Sequence, residues 1–201
     1  MIKAIIFDLG NVLIHFDALR SARRFAKKAE VSIGKVWKHF FTSRAEKAYT
    51  RGEITSREFF LHARRAFGTK MSFPVFSDLW NDIFWENKGI HPVLKRLGHR
   101  YPLYLISNTN ALHFDHVRRE FPRLFEHFTR VFPSHWLGYR KPDPRIYRKV
   151  LKAVQLRPEE TVFIDDMPKF VEAARKVGMN GIQFRSNPQL IRELRQLGIE
   201  L

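Results

Sequence analysis

Met1-Ile2-Lys3-Ala4-Ile5-Ile6-Phe7-Asp8-Leu9-Gly10-Asn11-Val12 is the stretch on which the fold turns. Ile2 to Phe7 is short, mostly apolar and rich in Ile, and it stops at Asp8 and Gly10. That is the pattern of a strand buried on both faces of a parallel sheet rather than one face of a water-exposed sheet. Similar runs recur at Pro102 to Ile106, Thr161 to Ile164 and Gly181 to Phe184, with a weaker one at Arg130 to Phe132. Amphipathic helical stretches separate them. Strands that alternate with helices predict an α/β fold with a doubly wound, Rossmann-like parallel sheet. The clearest helix begins at Asp143-Pro144, where Asp143 is a cap, Pro144 suits the first helical position, and Ile146, Val150, Leu151 and Val154 share one face.

The segment from Phe16 to Glu86 reads differently. It has helical periodicity throughout and no strand signal. Thr55 and Glu58 form a capping box, and the helix they open places Phe59, Phe60, Ala63 and Phe67 on a buried stripe. Leu19, Ala22, Ala26 and Ala29 predict a second stripe. The reading is a helical module over 16–86 with its own aromatic core, inserted into an α/β core made of 1–15 and 87–201.

Composition narrows the function classes. The 201 residues include 44% hydrophobic residues and 19 Phe, enough to build a packed core. No Cys is present, which excludes disulfides, thiol nucleophiles and Cys-ligated zinc. The apolar run before Asp8 is too short for a signal-peptide core or a spanning helix, so a cytoplasmic protein without membrane association is expected. The net charge of +16 attracts phosphorylated ligands or nucleic acid. Asp17 to Lys88 holds 15 basic against 8 acidic residues, and the densest stretch, His116 to Arg157, holds 11 against 3. Spread over both modules and accompanied by no nucleic-acid-binding motif, this charge predicts weak, nonspecific attraction to nucleic acid.

In an open parallel sheet, ligands collect at the carboxyl ends of the strands. The first strand ends in Asp8-Leu9-Gly10-Asn11, the 102–106 strand in Ser107-Asn108-Thr109-Asn110, and the 161–164 strand in Asp165-Asp166. Gly138-Tyr139-Arg140-Lys141-Pro142 precedes the Asp143 helix. These segments put three carboxylates, a hydroxyl with amide donors and one ammonium on a single rim. A carboxylate that attacks phosphorus needs its own charge and that of its substrate neutralised, and Mg²⁺ with a lysine does that. Mg²⁺ takes hard oxygen ligands, which Asp8, the Gly10 carbonyl and Asp166 offer. Ser107 and Asn108, with neighbouring backbone N–H groups, are candidates to hold phosphoryl oxygens, and Lys141 to offset charge in the transition state.

In order and spacing, these four segments resemble the motifs of the haloacid dehalogenase superfamily. The wording Asp-Leu-Gly-Asn-Val, Ser-Asn-Thr-Asn, Gly-Tyr-Arg-Lys-Pro-Asp-Pro-Arg-Ile-Tyr and Phe-Ile-Asp-Asp is similar to the branch that contains α-D-glucose-1-phosphate phosphatases. The resemblance implies that the 16–86 insert is a C1 cap closing over the site. It implies a Mg²⁺-dependent phosphatase for a sugar phosphate or similar small monoester. Asp8 would be the nucleophile, Ser107 and Lys141 the phosphate ligands, and Asp165 with Asp166 the metal carboxylates.

Two positions depart from the family pattern. Family phosphatases carry a second Asp two residues after the nucleophile as general acid and base, and here Gly10 stands there. His15 and Asp17 are the nearest titratable candidates to replace it. Met167 and Phe170 fill positions the branch often makes polar, and Phe170 would remove a hydrogen bond orienting Lys141 or the metal shell. Two other readings stand beside the phosphatase. One is a 2-haloacid dehalogenase, which also lacks the second Asp. The other is a catalytically weakened binding protein that uses its basic surface on nucleic acid or another acidic partner.

Overall fold

A computed structural model describes residues 1–201. Five parallel strands form the central sheet: β1 Ala4–Phe7, β4 Leu103–Ser107, β5 Arg130–Pro133, β6 Thr161–Asp165 and β7 Asn180–Gln183, in the spatial order β5-β4-β1-β6-β7. The doubly wound α/β core expected from the apolar runs is present. Each strand lies within about two residues of its predicted limits. The strand that bears Asp8 is central, flanked by the strands that bear Ser107 and Asp165.

Alternation along β1 explains the layers. Ile5 and Phe7 enter a 21-residue cluster on one face, while Ile6 enters a 10-residue cluster on the other. The first face is covered by α6 (His91–Gly98), α7 (Ala111–Glu120), α8 (Pro122–Phe125) and α12 (Asn187–Gln196), through Leu94, Val117, Leu124 and Leu190. The second is covered by α10 (Pro144–Val154) and α11 (Pro168–Lys176), through Ile146, Val150 and Ala174. Asp143 caps α10 as predicted, accepting from the Arg145 N–H. The short helix α9 (Ser134–Leu137) follows β5. No helix is long and apolar enough to cross a membrane.

Five helices fill the segment after β1: α1 Ala18–Ala29, α2 Ile33–Phe41, α3 Arg44–Thr50, α4 Ser56–Phe67 and α5 Phe73–Asn81. They enclose a separate 14-residue core that includes Phe25, Phe40, Phe59, Phe67, Phe76 and Trp80. The Thr55–Glu58 capping box is formed in both directions. Two sequence expectations fail here. The stripe on α1 is Ala22, Phe25 and Ala26, whereas Leu19 is exposed, because the side chain that fills the space between helices is the Phe on the neighbouring turn. The segment also contains a strand. β3 (Phe84–Glu86) pairs antiparallel with β2 (Ile14–Phe16) in a two-stranded ribbon through which the chain leaves and re-enters the core. Three residues are too few to show a period against a helical background.

The insert is fastened to the core at α3. The Ser134 hydroxyl, fully buried, is 2.6 Å from the Thr50 carbonyl and 2.9 Å from the Thr109 carbonyl, and it accepts from the Thr109 N–H at 3.0 Å. Gly52 follows with φ +72°, and a Cβ there would run into the His135 carbonyl, so both the turn and the close approach require glycine.

Candidate active site

Parallel pairing brings the site together. Phe7 is in register with Ile164 on β6 and with Leu105 on β4, so the next residues, Asp8 and Asp165, stand level at the strand ends, with Ser107 beside them. The Asp8 N–H donates to the Ile164 carbonyl at 2.8 Å, which holds the Asp8 backbone at the rim. Asp8, Ser107, Lys141 and Asp165 are all buried. Carboxylate oxygens of Asp8, Asp165 and Asp166 lie within 4.8 Å of one another.

Lys141 reaches into this cluster from the loop before α10. Its Nζ is 2.8 Å from Asp8 Oδ1 and donates to Asp165 Oδ2 at 2.5 Å. The other Asp165 oxygen accepts from the Met167 N–H at 2.8 Å. Both Asp165 oxygens are therefore engaged, which makes its first task the fixing of Lys141. Asp166 keeps one oxygen uncommitted, the other accepting from Asn11 Nδ2 at 3.1 Å.

Charge is out of balance at this spot. Burial is the largest influence on Asp8 and pushes its carboxyl up, with Lys141 opposing and Asp165 reinforcing the rise. Burial likewise raises Asp166 against the hydrogen bond from Asn11. Burial acts against the charge of Lys141, yet Asp8 and Asp165 overcome it and hold the ammonium above its ordinary range. Three carboxylates share one lysine, and a divalent cation with oxygen preference is the group whose charge and ligand chemistry match the surplus.

Asn108 is placed otherwise than a phosphate ligand's side chain would be. Its Nδ2 donates to the Lys141 carbonyl at 2.8 Å and its Oδ1 accepts from the Lys141 N–H at 2.8 Å. The amide acts as a clamp on the lysine loop, which leaves the second Nδ2 N–H and the Asn108 backbone N–H for a ligand. Phe170 offers Lys141 no side-chain hydrogen bond but does pack against it. The Lys141 Nζ lies 5.0 Å from its ring centroid and 5.4 Å from that of Phe163, so two aromatic faces pack the ammonium while two carboxylates orient it.

A cavity of about 320 Å³ lies between the insert and the strand ends, lined by Asp8, Gly10, Ser107, Asn108 and Asp166 below and by insert residues above. Neither candidate for the missing proton donor lines it. The Asp17 carboxylate caps α1, accepting from the Leu19 and Arg20 N–H groups. The His15 ring packs on Trp85, with centroids 5.8 Å apart. Where an acid at position 10 would extend, the Phe16 ring stands instead, and a Cβ on Gly10 would come within 2.9 Å of its edge.

Three lining residues were not assigned a role from sequence. Glu46 on α3 faces the cavity and accepts from Arg140 at 2.9 Å. Burial pushes its carboxyl up and Arg140 pulls it back. His113 on α7 stacks on Trp80 at 4.8 Å, and burial holds its imidazole down at about 3, so it is neutral. Its Nε2 lies 3.1 Å from the Trp80 carbonyl, which requires the proton on Nε2. Arg140 is adjacent to Lys141 in the quoted motif; Glu46 and His113 follow no spacing rule.

A haloacid dehalogenase-like hydrolase family model matches residues 2–178. The chain belongs to this family. It is 29% identical to a sesquiterpene phosphatase of Aspergillus oryzae over 97% of its own length and 96% of that protein. It is 24% identical to a D-ribitol-5-phosphate phosphatase of Bacteroides thetaiotaomicron, over 91% and 92% of the two chains. Among solved structures it resembles a haloacid dehalogenase family enzyme of Bacteroides thetaiotaomicron in complex with magnesium and inorganic phosphate. The TM-score is 0.85 and the identity 27%, covering 93% and 96% of the chains.

Proposed function

We propose that this hydrolase is a Mg²⁺-dependent phosphatase that cleaves a small phosphate monoester through a phosphoryl group carried on Asp8. The observation that carries the reading is Asp8 itself. It is buried at the end of the central strand, gripped by Lys141, set among further carboxylates and roofed by the insert. An Asp8 oxygen attacks phosphorus and the bond to the leaving oxygen breaks, with that oxygen taking a proton from water. A second water then attacks the acyl phosphate, releasing inorganic phosphate and restoring Asp8. Lys141, the Ser107 hydroxyl and the Asn108 backbone N–H hold phosphoryl oxygens; Asp165 keeps Lys141 in place.

Asp8, the Gly10 carbonyl and Asp166 would hold Mg²⁺, with Asp165 close behind. The ion supplies charge neutralisation between carboxylate and phosphate. The 16–86 insert serves as a cap that excludes water, over a core formed by 1–15 and 87–201. The relatives named above act on a sesquiterpene and on a ribitol phosphate, which supports a small phosphorylated substrate. We place the protein in the cytoplasm, and its basic charge draws nucleic acid only weakly. The dehalogenase reading is disfavoured by Asp165 and Asp166, which repel a carboxylate substrate.

Hydrolysis of p-nitrophenyl phosphate with and without Mg²⁺ tests the proposal. Asp8→Asn is expected to abolish turnover while retaining the fold, and beryllium fluoride to inhibit only when Mg²⁺ is present. Unchanged turnover in folded Asp8→Asn protein refutes the mechanism.

A further inference from the structure

The cavity lining bears on the part of the substrate beyond the phosphate. Phe16, Phe40, Phe41, Trp80, Ile83 and Phe84 form much of its upper wall, and Phe16 is 40% exposed. Apolar walls are usual in ligand pockets, so they decide little alone. The polar groups among them decide more, because nearly all are already engaged by protein partners.

The Tyr49 hydroxyl bonds to Ser56 Oγ at 2.7 Å and accepts from the Leu112 N–H at 3.1 Å. The Thr50 hydroxyl donates to the Glu46 carbonyl at 2.9 Å. Asn110 accepts from the His113 N–H at 3.1 Å, and its Nδ2 lies 3.2 Å from His113 Nδ1. His113 Nε2 is bonded to the Trp80 carbonyl, and Glu46 to Arg140. Spare capacity for a ligand is concentrated at the Glu46–Arg140 pair, where this bond takes one of the five guanidinium N–H groups and one of the two carboxylate oxygens; Asn11 Oδ1 and the second Asn110 Nδ2 N–H are also uncommitted, and the Trp80 Nε1 N–H is buried without a partner.

From this lining we propose that the substrate is a phosphate monoester with a compact, mainly apolar or aromatic body, carrying few polar groups, which meet Arg140 and the free oxygen of Glu46. A polyhydroxylated body would lose its water against the aromatic walls and find replacement hydrogen bonds for only some of its hydroxyls. An apolar body would lose nothing and cover the exposed aromatic faces. The cavity of about 320 Å³ limits the body to a ring or short chain beside the phosphate. The inference rests on the phosphatase reading for the site and replaces the sugar phosphate suggested by motif resemblance.

The test compares benzyl phosphate with ribose 5-phosphate, both esters of primary alcohols. Calorimetry with Mg²⁺ uses the Asp8→Asn protein, which binds without turnover. Benzyl phosphate is expected to bind about 10²-fold more tightly, the discrimination an apolar pocket exerts against added hydroxyls. In that background Phe41→Ser should weaken benzyl phosphate by about 10-fold and leave ribose 5-phosphate unchanged, with Phe41→Leu restoring affinity. Equal affinities, tighter ribose 5-phosphate or no binding of either ester overturns the inference. Turnover of p-nitrophenyl phosphate by the unmodified protein, measured alongside, judges the phosphatase reading separately.

Discussion

Gly10→Asp would restore a carboxyl group where a fast phosphatase of this family has one, and the geometry predicts that it fails alone. The new Cβ would lie 2.9 Å from Cε1 of Phe16, well inside the roughly 3.5–4.0 Å at which carbon atoms rest in contact. The carboxyl can enter only if the ring leaves. Phe16 is 40% exposed, so Phe16→Ala gives up only part of the about 1.5–3 kcal/mol of a fully buried aromatic, and the protein should stay folded. A placed general acid contributes about 10²–10⁴ in rate, and mostly for poor leaving groups. The double variant Gly10→Asp/Phe16→Ala is therefore expected to raise kcat on benzyl phosphate by at least about 10², while p-nitrophenyl phosphate changes little. Gly10→Asp alone should gain less than about 10-fold, so the two sites couple by at least about 1.4 kcal/mol in a double-mutant cycle on kcat. Using kcat keeps the loss of an apolar wall, which acts on KM, out of the comparison. A full gain from Gly10→Asp alone would show that Phe16 is no obstacle. No gain from the double variant would show that the proton comes from elsewhere.

Three further expectations follow from the same structure. His113 sits at about 3 in the folded state against 6.5 ordinarily, so as pH falls below about 6.5 the unfolded chain takes the proton first and stability declines, the loss saturating below about 3. At pH 5 the cost is on the order of 2 kcal/mol; urea midpoints at pH 7 and pH 5 should therefore converge in His113→Gln, and an unchanged gap refutes the assignment. Ser134→Ala leaves buried backbone groups of Thr50 and Thr109 short of a partner, costing about 2 kcal/mol and about 4–8 °C in Tm by calorimetry. A loss below about 0.5 kcal/mol would mean that this hydroxyl does not fasten the insert. Gel shifts with duplex DNA should show sequence-indifferent binding that falls steeply between 50 and 200 mM salt; tight binding to one sequence at the higher salt would revive the nucleic-acid reading.

The parts legible from sequence are those that a local pattern reports. A strand buried on both faces must be apolar along its length, so the central strands β1, β4 and β6 announced themselves; the edge strands β5 and β7 are only partly buried, and β5 gave the weaker pattern. The residues ending them had to sit at the ligand-binding edge of a parallel sheet. Asp8, Ser107, Asp165 and Asp166 could be named as candidates without coordinates for that reason, Lys141 from its Gly-Tyr-Arg-Lys-Pro motif, and the caps Asp143 and Thr55 because a capping hydrogen bond spans only two or three residues. The rest depended on contacts between segments far apart in the chain. That Asn108 clamps the backbone of a residue 33 positions later, and that Asp165 holds Lys141 with one oxygen and the Met167 N–H with the other, follows from strand register and loop path. Phe16, exposed on a three-residue strand, occupies the place of the missing acid only because the ribbon folds back over Gly10. Glu46 and Arg140 meet 94 residues apart because α3 docks on the core. Periodicity records which side chains are buried; the packing of one element on another decides which of them meet, and the covered wall of this site was therefore visible only in three dimensions.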